Sequence, residues 1–198
     1  MLTLMPFPRP LRAVFRVSVG ASATDADNLK FLYEVHEQFT ALPSYGVIPA
    51  LDSMTSDSGL LNEALKAYSI EFNPAKLVHG EQFLQLYRPL PISGALKSKT
   101  RVVDVLDKGS GAVVILECET FDADSGEKVC YNQSALFLVG AGKFGGKKMS
   151  DRPETKAVVD VPSRTPDVTV TEKTSSDQVC GSSAYNGIYF ISMDPSML

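Results

Sequence analysis

The chain is poor in the residues that most often carry chemistry. In 198 residues it has two histidines, His36 and His79, and three cysteines, Cys118, Cys130 and Cys180. Three cysteines cannot all pair with one another, and none has a neighbour at metal-ligand spacing, so neither a disulfide framework nor a metal centre is expected. A reducing compartment is the simpler reading. An excess of charge is missing too: 23 acidic residues against 19 basic ones leave a net charge of -4. Without a basic stripe there is no field to gather phosphate backbones, which argues against nucleic acid. No apolar run approaches the roughly 18 residues that a spanning helix needs. What is present is a 44% apolar composition, enough for a proper core. The length suits one large domain, or one domain with part of another.

The stretch from Leu77 to Pro91 opens the longest strand-like run. Phe83, Gln85 and Tyr87 alternate with Leu84, Leu86 and Arg88, the period of two of a strand with one face on a core. Gly80 interrupts that run, and a missing Cβ inside a strand marks a bulge or the close approach of a backbone or ligand. His79 and Gly80, at this break, are the first candidate site. His36 lies among Glu34, Glu37 and Gln38; a catalytic base needs a fixed partner, and this setting reads as a solvated loop.

Upstream, the first seventeen residues carry Arg9, Arg12 and Arg16 and no acidic residue, a composition that overlaps with organelle transit peptides. Pro6, Pro8 and Pro10 let an amphipathic helix begin only after them. A folded character begins near Val19, with Thr24 and Asp27 as a helix cap before Leu29 to Tyr33. Leu29, Phe31 and Tyr33 fit period two, while Leu29, Leu32 and Tyr33 fit a helical face, so both readings stay open there. Leu42 to Ala50 reads as a short apolar helix started by Pro43 and limited by Pro49. Ser53 to Gly59 reads as a loop and Leu60 to Tyr68 as a second short helix.

Downstream, three more strands are expected at Leu96 to Leu106, Ala112 to Thr120 and Val129 to Val139. The joining segments, Asp107 to Gly111 and Asp122 to Gly126, each hold the glycine that positive-φ hairpin positions favour. The result is an antiparallel meander whose cover must come from the helical material before Leu77, an α+β layer with a helix across a curved sheet. Cys118 and Cys130 fall roughly opposite each other across the second hairpin and read as buried free thiols. Lys108, on a tight turn, can reach a phosphate without burying its stem, although an ordinary solvated lysine is the plainer reading. Gly140 to Gly146 lacks Walker spacing and a following helix start, and reads as a flexible exit loop.

Several of these segments together resemble one family. They are Leu29 to Glu34, Leu42 to Val47, Leu77 to Gln82, Tyr87 to Pro91, Asp104 to Gly111 and Phe144 to Lys147, in the right order and at compatible spacing. From about Val19 to Gln178 the chain resembles the type 2 enoyl-CoA hydratases, MaoC-like hot-dog proteins of peroxisomal multifunctional enzymes. The resemblance implies a hot-dog fold, an antiparallel sheet wrapped around a helix, as the first half of a double hot-dog. It divides the chain into an unmatched start (1–17), a first, acyl-CoA-binding repeat (18–150), and a linker with the divergent start of a second repeat (151–198). It implies that His79, Gly80 and Lys108 contact an acyl-CoA or enoyl-CoA thioester, with coenzyme A as part of the substrate and no separate cofactor. It implies a homo-oligomer or pairing with a second repeat. A peroxisomal location follows from the same likeness, with mitochondrial and cytoplasmic locations as alternatives; the terminal Ser-Met-Leu is similar to the peroxisomal Ser-Lys-Leu address but lacks its cation.

In such relatives the second repeat supplies an Asp and a His, within Gly-Asp-x-Asn-Pro-x-His, that add water across a trans-2-enoyl thioester to give a (3R)-hydroxyacyl-CoA. Here Val179 to Met193 departs from the family, and equal-length alignment puts Gly187 and Ser192 where those two residues stand. Asp194-Pro195 then recovers the pattern. A window of unchanged length between matching flanks suggests a reading-frame disturbance, and no catalytic residue is assigned. Hydration by this chain alone is not expected, which leaves an acyl-CoA-binding module or a nonfunctional product as alternatives.

Overall fold

The computed structural model describes residues 2–6, 21–56, 58–151, 162–169 and 171. Leu2–Pro6 (β1), within the segment read as an unmatched start, forms a strand. A 3-10 turn at Ala26–Asn28 leads into a short helix, α1, Leu29–Leu32, so the helical reading of this segment holds. The cap is Asp25 rather than Thr24 or Asp27: its carboxylate accepts from the Asp27 amide at 3.0 Å. A carboxylate two residues upstream is well placed to satisfy an orphan amide of the first turn.

Pro43 opens a second 3-10 turn, Pro43–Val47, which runs directly into helix α2, Ile48–Ser56. Two expectations fail here. Pro49 does not limit a helix; it stands in the first turn of α2, where its missing amide costs no intrahelical bond. Nor is Ser53 to Gly59 a loop, since α2 extends to Ser56 and helix α3 spans Ser58–Lys66. Two of the hydroxyl residues that suggested a loop, Ser53 and Thr55, are satisfied within the fold. Ser53 is buried and accepts from Thr100 Oγ1 at 2.9 Å, and Thr55 Oγ1 donates back to the Leu51 carbonyl at 3.0 Å.

Four long strands follow: β2, Leu77–Leu86; β3, Ala95–Asp107; β4, Gly111–Asp122; and β5, Lys128–Val139. The hairpin glycines have the expected left-handed φ, +76° at Gly109 and +71° at Gly126. The sheet order is β1-β3-β4-β5-β2, with every pairing antiparallel. The meander is therefore β3-β4-β5 alone. β2 does not precede it in space but crosses to pair with β5 at the far edge. Alternation in a strand reports which face is buried and carries no information about its neighbour. The longest strand is β3, with 13 residues against 10 in β2.

Helices α2 and α3 cover one face of the sheet. Met54, Leu61 and Leu65 pack with Leu77, Val105, Val114, Leu116, Leu136 and Leu138 in one apolar cluster. Tyr45 and Ile48 pack with Leu90, Leu96 and Val129 in a second. The same sheet face also carries a buried polar band of Ser98, Thr100, Thr120, Asn132 and Ser134. Ser98 and Thr120 share a 3.0 Å hydrogen bond within the band, while Thr100 donates to Ser53 at 2.9 Å and Ser134 to Gln82 at 2.8 Å, on neighbouring elements. Cys118 and Cys130 are free and buried, as read. They are diagonal rather than opposite, because Cys118 faces Asn132 and Cys130 faces Thr120. Burial pushes both thiols up, Cys130 to about 11. Cys180 lies outside the described residues.

Candidate functional site

The site sits on the sheet face turned away from the helices, and two bulges shape it. In β2 the register runs His79 to Leu136 and then Glu81 to Ala135, so Gly80 is the extra residue that its sequence context suggested. A Cβ on Gly80 would stand 3.2 Å from the Ala135 carbonyl oxygen. In β3 the register jumps from Val102 opposite Leu116 to Asp104 opposite Ile115, leaving Val103 unpaired. Gly80 and Val103 both border one cleft of about 520 Å³, within the ~300–1,000 Å³ typical of small-molecule sites. Its floor is the outward-facing set of the central strands, Val113 and Ile115 of β4 with Ala135 and Phe137 of β5. Met149 and Ser150 line it from the chain leaving the sheet.

Lys108 lines the same cleft, at the β3-β4 hairpin. Its Nζ donates to the Lys148 carbonyl at 2.6 Å, and an ammonium has three donors, so two remain to meet an anion. The hairpin is held by Asp107. The carboxylate accepts from the amides of Gly109 at 2.9 Å, Lys143 at 2.8 Å and Gly145 at 2.9 Å, while the Asp107 amide donates to the Lys147 carbonyl at 2.6 Å. These amide hydrogen bonds, Gly109 first and then Lys143, hold the Asp107 carboxyl below its ordinary range. The segment Gly140 to Gly146 is thus not the loose exit loop expected. It is docked on the hairpin, and a Cβ on Gly142 would stand 2.3 Å from the Gly109 carbonyl oxygen. Ser150 Oγ donates to Asp104 at 2.7 Å and fixes the next part of the exit segment to β3.

The structure therefore brings Gly80 and Lys108 to one cleft. His79 is placed beside it without lining it: the ring is exposed, and Nε2 donates to the Glu81 carbonyl at 3.1 Å. His36 accepts from the Gln38 amide at 3.1 Å within its own turn, away from this cleft. Gly187 and Ser192 lie outside the described residues. Sequence reasoning missed Asp107, Val103 and Ala135. The Asp-Lys-Gly order at a turn could have pointed to Asp107 as a local amide acceptor; the Val102-Val103 pair carries no comparable mark. Chemically the cleft offers an apolar floor with a cation at its rim, suited to an apolar or amphipathic chain that bears an anion. Among the described residues no group of three histidines, cysteines or carboxylates could hold a metal, and no helix is long and apolar enough to cross a membrane.

An antiparallel sheet wrapped around a helical layer, with the first long strand crossing to the far edge, is the hot-dog fold of MaoC-like dehydratases. A MaoC-like dehydratase from Phytophthora capsici superposes with a TM-score of 0.70 at 26% identity, over 100% of this chain and 64% of that one. Full-length peroxisomal multifunctional enzyme type 2 from Drosophila melanogaster gives a TM-score of 0.74 at 32% identity, over 100% of this chain and 32% of that one. The family model described as the MFE-2 hydratase 2 N-terminal domain matches residues 12–140, and the chain belongs to that family. Peroxisomal multifunctional enzyme type 2 of Mus musculus is 43% identical over 165 residues, 83% of this chain. The chain spans 21% of that relative's length.

Proposed function

We propose that this chain is the thioester-holding half of a type 2 enoyl-CoA hydratase, binding an acyl-CoA or enoyl-CoA in the cleft beside β2. The observation that carries this reading is the meeting of Gly80 and Lys108 on one apolar-floored cleft. Gly80 stands in β2 and Lys108 in the β3-β4 turn, and the resemblance names both as acyl-CoA contacts. In this reading Lys108 pairs with a phosphate of coenzyme A, Gly80 lets the ligand approach the β2 backbone, and His79 flanks it. Coenzyme A arrives as part of the substrate and no separate cofactor takes part.

The hydration itself needs more than this cleft contains. Water oxygen adds to the β-carbon of the enoyl thioester while a base takes a water proton, an acid delivers a proton to the α-carbon, and amide donors hold the enolate-like oxygen. Glu81 and Lys108 are the ionisable residues lining the cleft, and the Asp and His pair of the family is not among its lining residues. We therefore assign the acid and base to a second hot-dog repeat, at the positions that Gly187 and Ser192 take in this chain. Pairing with such a repeat, or with a second copy, follows, and the peroxisomal name of the mouse relative supports a peroxisomal location.

Calorimetric titration with decanoyl-CoA tests the binding. Saturable uptake is expected, and Lys108→Ala weakens it about tenfold, the worth of one charge-assisted hydrogen bond. Absence of uptake by the native chain refutes the reading. Following trans-2-decenoyl-CoA by its enoyl absorbance tests the division of labour: no hydration is expected from this chain alone, and turnover would overturn the assignment to a second repeat.

A further inference from the structure

We infer that Asp107 is a positioning residue for ligand binding: its carboxylate fixes the exit segment, whose backbone in turn holds the Lys108 ammonium at the cleft. This rests on the acyl-CoA reading above. Asp107 stands between Leu106 and Lys108, which both line the cleft, yet it does not line the cleft itself. It is buried at the end of β3, with its acceptors turned to backbone amides. Any effect it has on a ligand must pass through its neighbours.

The contacts close a circuit. Oδ1 accepts from the amides of Gly109 and Lys143 and Oδ2 accepts from Gly145, so one carboxylate joins the hairpin to a loop 36 to 38 residues later. The chain then turns back on the hairpin: the Lys147 carbonyl accepts from the Asp107 amide, and the Lys148 carbonyl accepts from Lys108 Nζ. Gly140 adds a further tie, its amide donating to the Ser110 carbonyl at 2.8 Å. The carbonyl that holds the ammonium therefore follows closely on the last amide that Asp107 holds.

The loop follows a path that needs such an acceptor. Lys143 has a left-handed φ of +64°, which disfavours a residue with a Cβ, and its amide is one of those aimed at Asp107. Asparagine cannot take over the role. It has one acceptor oxygen where the carboxylate has two, and its NH2 group would meet a further N–H, at Gly145 or at Gly109 and Lys143. With the loop released, Lys148 no longer fixes the ammonium. A ligand anion must then order a long, rotamer-rich side chain as it binds, and affinity falls.

The test is a double-mutant cycle on decanoyl-CoA binding, by calorimetric titration of the native chain, Asp107→Asn, Lys108→Ala and the double variant. Asp107→Asn is expected to weaken binding about threefold, the scale of re-ordering one side chain, against about tenfold for Lys108→Ala. Because Asp107 acts through Lys108, the double variant should stay at about tenfold; about thirtyfold, the additive result of a merely structural role, overturns the inference. NMR supplies a reading that needs no ligand. In the native chain the two ε-protons of Lys108, held against Lys148, should give separate signals, assigned by their loss in Lys108→Ala, and in Asp107→Asn they should merge. Signals that stay separate in a variant that melts like the native chain overturn the inference and leave the acyl-CoA reading standing. Absence of binding by the native chain overturns both. If Asp107→Asn does not fold, Asp107→Glu, which keeps the charge but moves the acceptors by one methylene, takes its place with the same expected outcomes.

Discussion

Asn132 offers the sharpest test of how the helical layer is fastened to the sheet. It is 1% exposed on the helix-facing side of β5. Its Nδ2 donates to the Gly46 carbonyl at 3.0 Å, in the turn that leads into α2, and its Oδ1 accepts from Gln82 Nε2 of β2 at 2.9 Å. Gln82 Oε1 in turn accepts from Ser134 Oγ at 2.8 Å. One amide thus joins α2's entry, the central sheet and the edge strand. In Asn132→Ala the Gly46 carbonyl keeps only the weak Cys130 thiol contact at 3.6 Å. A buried acceptor left short of its partner costs ~1–3 kcal/mol, and the lost bond to Gln82 adds ~1 kcal/mol at most, because Gln82 is exposed enough to find water. The sum is about 1–4 kcal/mol, or roughly 2–16 °C in melting temperature for a chain of this size. Gln82→Ala should cost less than 1 kcal/mol, about one ordinary hydrogen bond. Asn132→Asp should be worse than alanine at neutral pH, since a buried carboxylate then faces a carbonyl. Its pKa is raised in the folded state, so the folded chain binds the extra proton and the deficit shrinks as pH falls. Urea and thermal denaturation measure all three variants. If Asn132→Ala changes stability by less than about 0.5 kcal/mol, the value of an ordinary surface change, the fastening assigned to it is wrong.

Other expectations follow from the same geometry. The Asp107 carboxyl is depressed by amide hydrogen bonds, so its stabilisation is complete above the ordinary carboxylate range and disappears as pH falls through the lowered value. Melting from neutral pH into acid should show Asp107→Asn less stable than the native chain at neutrality, with the gap closing in acid; a constant gap argues against the clamp. Leu65, on the sheet-facing side of α3, is fully buried, and Leu65→Ala should cost about 2–5 kcal/mol in urea denaturation, as other emptied leucine sites do. A cost below 1 kcal/mol would mean the site collapses freely. Val78 and Tyr87, on or just past the edge strand, are about half exposed, at 50% and 51%. Sedimentation velocity at micromolar concentration should find self-association, and a monodisperse monomer would contradict it.

What was legible in the sequence was local. The glycine turns at Asp107 to Gly111 and Asp122 to Gly126 show themselves because turn geometry is decided within a few residues. The Gly80 bulge shows for the same reason. Pro49 and Ser53 misled because their usual roles depend on context: the proline fell in a first helical turn, and the serine found a buried hydroxyl on β3. The partner of β2 was hidden, since no period distinguishes β3 from β5 as a neighbour. The family resemblance named His79, Gly80 and Lys108. That Gly80 and Lys108 meet while His79 stands aside needed the register of four strands, and the role of Asp107 needed a loop more than thirty residues away to fold back upon it.

The crossing of β2 to the far edge also sets an order of events during synthesis. Leu77–Leu86 leaves the ribosome well before its partner Lys128–Val139 exists. At ~5–20 residues per second the strand waits on the order of three to ten seconds. The hairpins β3-β4 and β4-β5 close locally and early, while β2 docks late across a long loop. During that interval its leucines and its hydrogen-bonding edge lie open to other nascent chains. The bulge at Gly80, which breaks the flat edge, then limits mispairing before it shapes any binding surface.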